Sequence, residues 1–213
     1  APAIRHAERG FIVTPYLQDC TKEVGADMAV DPLIASAFLP DGQPIKAGSR
    51  LVQGAYAETL KAIQAEGPSA LHGGSVGQLI ADYMTANGGI LSLSDLAEYE
   101  PIERAPIRGQ YRGVEIIGPP PPASGGVHVV QMLNILEGYD LAGMGYGAPE
   151  TIHLIAEAMK IAFADRDAST GDPAFLNVPV EQLISKAYAE DRRALIDPTC
   201  AQTWATGVPP LNE

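Results

Sequence analysis

Residues 119–173 constrain this chain more than any other stretch, because they read PPPPASGGVHVVQMLNILEGYDLAGMGYGAPETIHLIAEAMKIAFADRDASTGDP. Four consecutive prolines, Pro119 to Pro122, hold φ near the polyproline value and offer no backbone N–H, so the run is neither a central strand nor a helix interior. Ser124 follows as an N-cap, and Val127, Val130, Leu133 and Leu136 fill one side of the helix it opens. The glycines of GYDLAGMGYG end that helix, and Pro149 stands where the first turn of the next one tolerates a proline. Beyond it Ile152, Ile155, Ala156, Met159, Ala162 and Phe163 recur at three- and four-residue spacing, which predicts an apolar stripe along a long helix. The expectation is a helical hairpin with these residues in its buried seam.

The flanking segments are mostly helical too. PAIRHAER reads as a short helix stopped by Gly10, and a second helix starts at Pro15. Entering a helix at Pro2 with no cap before it points to Ala1 as a processed or artificial boundary and not a natural domain edge. PDGQPIKAG, residues 40–48, has turn composition, and helix resumes from about Leu51 to Gly67. Another helix spans about Val76 to Ala86, and Ser94 is the expected N-cap of a further one, with Asp95 in its first turn. APIRGQYRG and VEIIGPP are the two convincing strands, near residues 106–118, and read as a hairpin. VPVEQLISKAYAEDRRALID predicts one amphipathic helix with Leu183, Ile184, Ala187, Tyr188 and Leu195 on one side. Residues 198–213 show no period and form an extended tail. The fold class is α+β, predominantly α-helical with a small β component.

Among the 213 residues 46% are hydrophobic and 19% charged, the balance of a globular chain able to bury a core. A net charge of −12 opposes binding to nucleic acid or to anionic membranes, and neither is expected as a partner. There is no apolar run of eighteen residues and no signal-peptide pattern. Cys20 and Cys200 stand far apart with no CxxC, a pattern compatible with a disulfide or with two thiols.

Several short patterns invite a chemical reading. Gly73-Gly74-Ser75-Val76-Gly77 matches GxSxG, in which a strand-to-helix turn exposes a serine nucleophile. No strand precedes it, and Ser75 with Gln78 reads instead as a capping box that starts a helix; nothing brings His72 onto Ser75. Ser124-Gly125-Gly126 could present N–H groups to an anion, but it lacks the lysine of a P-loop, and close packing of the helix start is the simpler account. His128 and His153 lie on apolar helices without metal-ligand spacing and read as hydrogen-bonded, partly buried imidazoles. Asp165, Arg166, Asp167 and Asp172 form a charged cluster at the end of the long helix, where aspartates oppose the dipole unless Arg166 or outside donors pair them. The cluster reads as structural.

Taken in order, these residues resemble the γ-glutamyltranspeptidase family. PPPPASGGVHVVQMLNILEGYDL is similar to its proline-rich Ser-Gly-Gly segment, and AEAMKIAFADRDASTGDP to its A-E-A-x-x-x-A-x-A-D-R…G-D-P block. PAIRHAERGFIV, GGILSLSDLAEY and PIRGQYRG extend the likeness over nearly the whole chain. Ser169-Thr170 departs from it, because the family usually has an aromatic and aliphatic pair there, and the local packing is expected to differ.

The resemblance implies part of an αββα N-terminal-nucleophile hydrolase, made as a precursor that cleaves itself into a large and a small subunit. The new amino-terminal threonine of the small subunit would attack a γ-glutamyl amide, activated by its own α-amino group. Donors in an oxyanion hole would stabilise each tetrahedral intermediate. On this basis the chain is the C-terminal part of a large subunit, with residues 1–197 its helical part and residues 198–213 the tail leading towards the self-cleavage site. The nucleophile is expected in a T-T-H-[YF]-S-like sequence after Glu213, and the arginine that holds the substrate α-carboxylate before Ala1. No catalytic, cofactor-binding or metal-binding residue is therefore assigned here, and no cofactor is expected. The implied partners are the small catalytic subunit and a γ-glutamyl substrate such as glutathione, and the implied compartment is periplasmic or secreted. Isolated, the chain is expected to be inactive and to self-associate through uncovered apolar surface. The alternatives are a cephalosporin or glutaryl acylase or a poly-γ-glutamate hydrolase of the same family. From another class, the alternative is a noncatalytic helical domain that binds a partner.

Overall fold

Prolines and glycines set most of the element boundaries. The computed structural model describes residues 2–208, which divide into two units, one up to Pro101 and the other from Ile102. The architecture is α+β and mainly helical, as the sequence predicts.

In the first unit α1 (Pro2–Arg9) stops at Gly10, whose φ of 72° turns the chain into β1 (Phe11–Ile12). Thr14 caps α2 (Pro15–Glu23) by accepting the Leu17 N–H at 3.2 Å, and Asp31 caps α4 (Pro32–Phe38) after the short α3 (Gly25–Met28). Arg50–Leu51 is not the start of a helix, as the periodicity implies, but strand β2, antiparallel to β1. A Cβ on Gly10 would lie 2.5 Å from the Leu51 carbonyl oxygen, so this close pairing depends on a glycine about forty residues away and leaves no local period. Helix resumes as α5 (Gly54–Glu66), then α6 (Ser75–Ala86) and α7 (Leu93–Ala97). The N-cap of α7 is Ser92 and not Ser94: Asp95 accepts the Ser92 N–H at 2.8 Å, which makes it the third residue of a capping box. Val13, Ile45 and Leu51 form the core here, with Leu17 and Phe38 against them.

The second unit opens with the expected hairpin, β3 (Ile107–Tyr111) and β4 (Val114–Gly118), in a register that pairs Ile107 with Gly118. Arg112 and Gly113, both at positive φ, make its turn. After the prolines come α8 (Gly125–Leu136), α9 (Leu141–Met144) and α10 (Pro149–Ser169). The predicted last helix is two, α11 (Val180–Leu183) and α12 (Lys186–Arg193), because Ser185 adopts an extended conformation and caps the second by accepting the Tyr188 N–H. Helix α8 is central and contacts the hairpin, α10 and α12. A Cβ on Gly126 would meet the Pro119 carbonyl oxygen at 2.1 Å, so the Ser-Gly-Gly start serves close packing against the proline run.

The seam of the hairpin differs from the expectation. Ile152, Ile155, Ala156, Met159 and Phe163 are exposed, Ile152 by 57%, whereas the expected Ala162 is buried with Leu154, Ala158 and Ile161, alongside Glu157 and Asp165. Both sides of α10 carry apolar residues, so counting them does not choose the buried one. Polar side chains with partners elsewhere do.

Candidate functional site

Asp165 lies one turn from the C-terminus of α10 with no exposed surface, where the helix dipole disfavours its charge. Four donors from other segments compensate. Gln131 Nε2 on α8 stands 2.6 Å from Oδ2 and the Tyr188 hydroxyl on α12 2.7 Å from the same oxygen. The Gly207 N–H donates to Oδ1 at 2.7 Å, and the Thr206 hydroxyl shares its proton between Oδ1 at 3.1 Å and the Val208 carbonyl at 2.9 Å. Burial, and donation to Asp165, push the Tyr188 hydroxyl well above the ordinary phenol range, so it stays a donor.

A carboxylate only accepts, which fixes the Gln131 amide with its nitrogen towards Asp165 and its Oε1 towards His128 Nδ1, 2.9 Å away. Nδ1 therefore carries the proton, and Nε2, 2.9 Å from Thr170 Oγ1, accepts from that hydroxyl. Burial pulls the His128 pKa below its usual value, against the hydrogen bond to Gln131, and keeps the ring neutral at pH 7. Thr170, His128, Gln131 and Asp165 thus form one chain of donors that runs inwards to the carboxylate. Thr170 meets an imidazole, and the Ser169 hydroxyl donates to the Asp165 carbonyl at 2.5 Å.

Glu157, two turns earlier on the same buried face, accepts from Trp204 Nε1 at 2.6 Å, Lys160 Nζ at 2.5 Å and the Gln202 N–H at 3.4 Å. Burial works against this carboxylate, but the bonds from Lys160, Trp204 and Gln202 outweigh it and lower its pKa. Arg192 on α12 lies 5.5 Å above the Trp204 ring and donates to the Ala205 carbonyl at 2.7 Å. Residues 202–208, most of them without regular structure, are in this way strapped along α10. The arrangement positions backbone.

The residues singled out by sequence separate accordingly. Asp165 has its outside donors, but Arg166 turns away over Phe163 and Asp172 pairs with Arg104 at 3.7 Å, so the four charges do not form one cluster. Ser75 begins α6 after a 3-10 turn (Gly67–Ala70), as its lack of a preceding strand implies, yet the capping box is absent: Gly74 caps without a side-chain bond and Gln78 donates to Asp82. His72 gives Nδ1–H to the Leu96 carbonyl at 2.9 Å and stacks on Tyr99. His153 is spent on the Asp197 carbonyl. Cys20 and Cys200 are free thiols. Among the described residues no group of three or more His, Cys, Asp or Glu is placed to hold a metal, and no helix is long and apolar enough to cross a membrane.

A sequence profile described as gamma-glutamyltranspeptidase matches residues 1–212. The chain belongs to the gamma-glutamyltranspeptidase family. It is 58% identical over 207 residues to the acylase ACY 1 proenzyme of Pseudomonas sp. (strain SE83), covering 97% of this chain and 37% of that protein. To the glutathione hydrolase proenzyme of Escherichia coli (strain K12) it is 42% identical, over 92% of this chain and 34% of the other. The crystal structure of Helicobacter pylori gamma-glutamyltranspeptidase superposes with a TM-score of 0.89 at 39% identity, over 94% of this chain and 58% of that one. The chain thus spans little over a third of the curated relatives it matches, and corresponds to the large-subunit part of the gamma-glutamyltranspeptidase fold.

Sequence reasoning missed Gln131, Glu157, Tyr188, Arg192, Trp204 and Thr206 as a set. One signal was present: Gln131 and Glu157 each interrupt a run of apolar or small residues on a helix of this family's fold, and a polar residue on such a face needs a partner.

Proposed function

We propose that this chain is the scaffold part of a self-processing amide hydrolase or acyltransferase whose nucleophile is an amino-terminal threonine on a small subunit cut from the same polypeptide. The observation that carries the reading is the match across residues 1–212 to a family whose relatives here are named proenzymes, with little over a third of their length covered. The donor group is γ-glutamyl, as in glutathione: its amide C–N bond breaks, the amine leaves with the proton of the threonine hydroxyl, and the γ-glutamyl ester formed on the threonine is then cleaved by water or another amine. Residues 198–213 lead towards the self-cleavage site; of these, 209–213 lie outside the described residues. The exposed stripe of Ile152, Ile155, Met159 and Phe163 is the face on which the small subunit docks, and it drives self-association when uncovered.

A second reading, a glutaryl acylase, is favoured by the 58% identity to an acylase proenzyme. Glutaryl and γ-glutamyl differ by one α-amino group, so the full-length protein assayed on γ-glutamyl-p-nitroanilide and glutaryl-p-nitroanilide decides between them. Preference for the first by tenfold or more in kcat/KM is expected; the reverse establishes the acylase. The isolated 213-residue chain is expected to turn over neither. Turnover by that chain, lost on mutating one of its own residues, overturns the reading.

A further inference from the structure

The strap is held more tightly than a connecting segment requires. Fixing backbone outside any ladder costs about 1–2 kcal/mol per residue, and here successive positions are gripped one by one. Trp204 gives its indole N–H to Glu157 and its ring to Arg192, and Ala205 gives its carbonyl to Arg192. Thr206 and Gly207 donate to Asp165, a Cβ on Gly207 would meet the Tyr188 hydroxyl oxygen at 2.4 Å, and Val208 is buried. Glu157 and Asp165 are eight residues apart on α10, about 12 Å along its axis. The partners of Glu157 in the strap, Gln202 and Trp204, precede those of Asp165, Thr206 and Gly207, in the same order as the two carboxylates along the helix. The segment therefore runs parallel to α10, held at successive residues along about 12 Å of it.

We infer that Asp165 and Glu157 are positioning residues for self-cleavage: by gripping residues 202–208 they make the following polypeptide leave α10 from a fixed point in a fixed direction. The inference rests on the self-processing reading above. Self-cleavage breaks one peptide C–N bond and adds water across it, hydroxyl to the carbonyl carbon and proton to the nitrogen. An internal nucleophile does this quickly only when it is held within about 3–3.5 Å of that carbon, and a displacement of about 1 Å can cost a hundredfold. A strap gripped at successive residues contributes to such placement, because freedom there would be passed on to the polypeptide that follows.

The test uses the full-length polypeptide, synthesised in vitro and followed by the appearance of two subunits on denaturing gels. Thr206→Val removes the hydroxyl that bonds Asp165 and both backbone groups of Val208, and Thr206→Ser keeps it. Cleavage of Thr206→Val is expected to slow by roughly ten- to a hundredfold. Thr206→Ser is expected to process at the wild-type rate, and both uncleaved chains to melt within about 4 °C of wild type. Should Thr206→Val fail to fold, Trp204→Phe, which removes the N–H to Glu157 and keeps a ring on Arg192, is expected to slow cleavage in the same way. A Thr206→Val or Trp204→Phe chain that keeps pace with wild type overturns the inference. So does a slowing shared by Thr206→Ser and matched by lowered melting temperature, since that marks a merely structural role. A wild-type protein that stays in one piece instead overturns self-processing itself, and the inference with it.

Discussion

The two units are built from similar parts and held in different ways. Each has a short antiparallel pair of strands and a set of helices, but of the nine buried polar residues among those described, only Thr21 is in the first unit. The other eight, Asp165 and Glu157 among them, are in the second. The first unit is tied by exposed or half-buried side chains, some at helix ends, such as Thr14, Asp31 and the Ser92–Asp95 box, and some at long range, such as Tyr83 with Asp31, around a small apolar core. The second is tied by buried polar side chains, such as Gln131 with Asp165 and Glu157 with Trp204, whose partners lie 34 and 47 residues away in sequence. Buried polar groups must all be satisfied together, so the second unit is expected to be all-or-none where the first gives way piecemeal.

The largest effect is expected at Asp165. Replacement by leucine strands the donors of Gln131, Tyr188 and Gly207 in the interior, at about 1–3 kcal/mol each when unmet. Urea unfolding read by Trp204, the only tryptophan, should lose about 3 kcal/mol or more. A loss below about 1 kcal/mol would erase the contrast between the units. In the first unit Thr14→Ala removes one cap, and about 1 kcal/mol is expected, visible as faster amide exchange at Leu17 and Gln18 with the Trp204 transition unmoved. Coupled movement of both readouts would show that the units do not unfold separately.

The smallest effect is in mild acid. His128 has a lowered pKa in the folded chain through burial, with Asp165 favouring and Arg166 opposing its protonation. The unfolded chain therefore takes up the proton first, near pH 6.5. The stability that His128 contributes is complete above that pH and is lost as pH falls through its lower folded value. The Trp204 transition should weaken as pH falls below about 6.5 in wild type and stay level over the same range in His128→Gln, where no group titrates at that position. Equal slopes in the two proteins would remove His128 from the account.

What could be read in the sequence was what neighbours along the chain decide. Gly10 and Pro15 bound the first helices, Pro149 opens α10, and the alternation around Arg112-Gly113 gives the hairpin. The pairing of Phe11–Ile12 with Arg50–Leu51 was illegible, because two residues have no period and their partner is far off. The buried side of α10 was illegible for another reason: Ile152, Met159 and Phe163 are as apolar as Leu154 and Ile161, and only the partners of Glu157 and Asp165 break the tie. Of the candidate site, Asp165 and its need for outside donors were visible, while the donors themselves come from α8, α12 and the strap and become neighbours only on folding.

The orientation of the Gln131 amide has one more effect. An apolar seam between two helices tolerates sliding, since one leucine replaces another after a turn. Helices α8 and α10 carry a toothed contact instead, with the Gln131 nitrogen facing the Asp165 carboxylate and His128 Nε2 facing the Thr170 hydroxyl at the end of α10, while the Gln131–His128 bond within α8 holds both teeth in one orientation. A shift of one residue, about 1.5 Å, would break both contacts at once, so the hairpin has a single notch in which it closes.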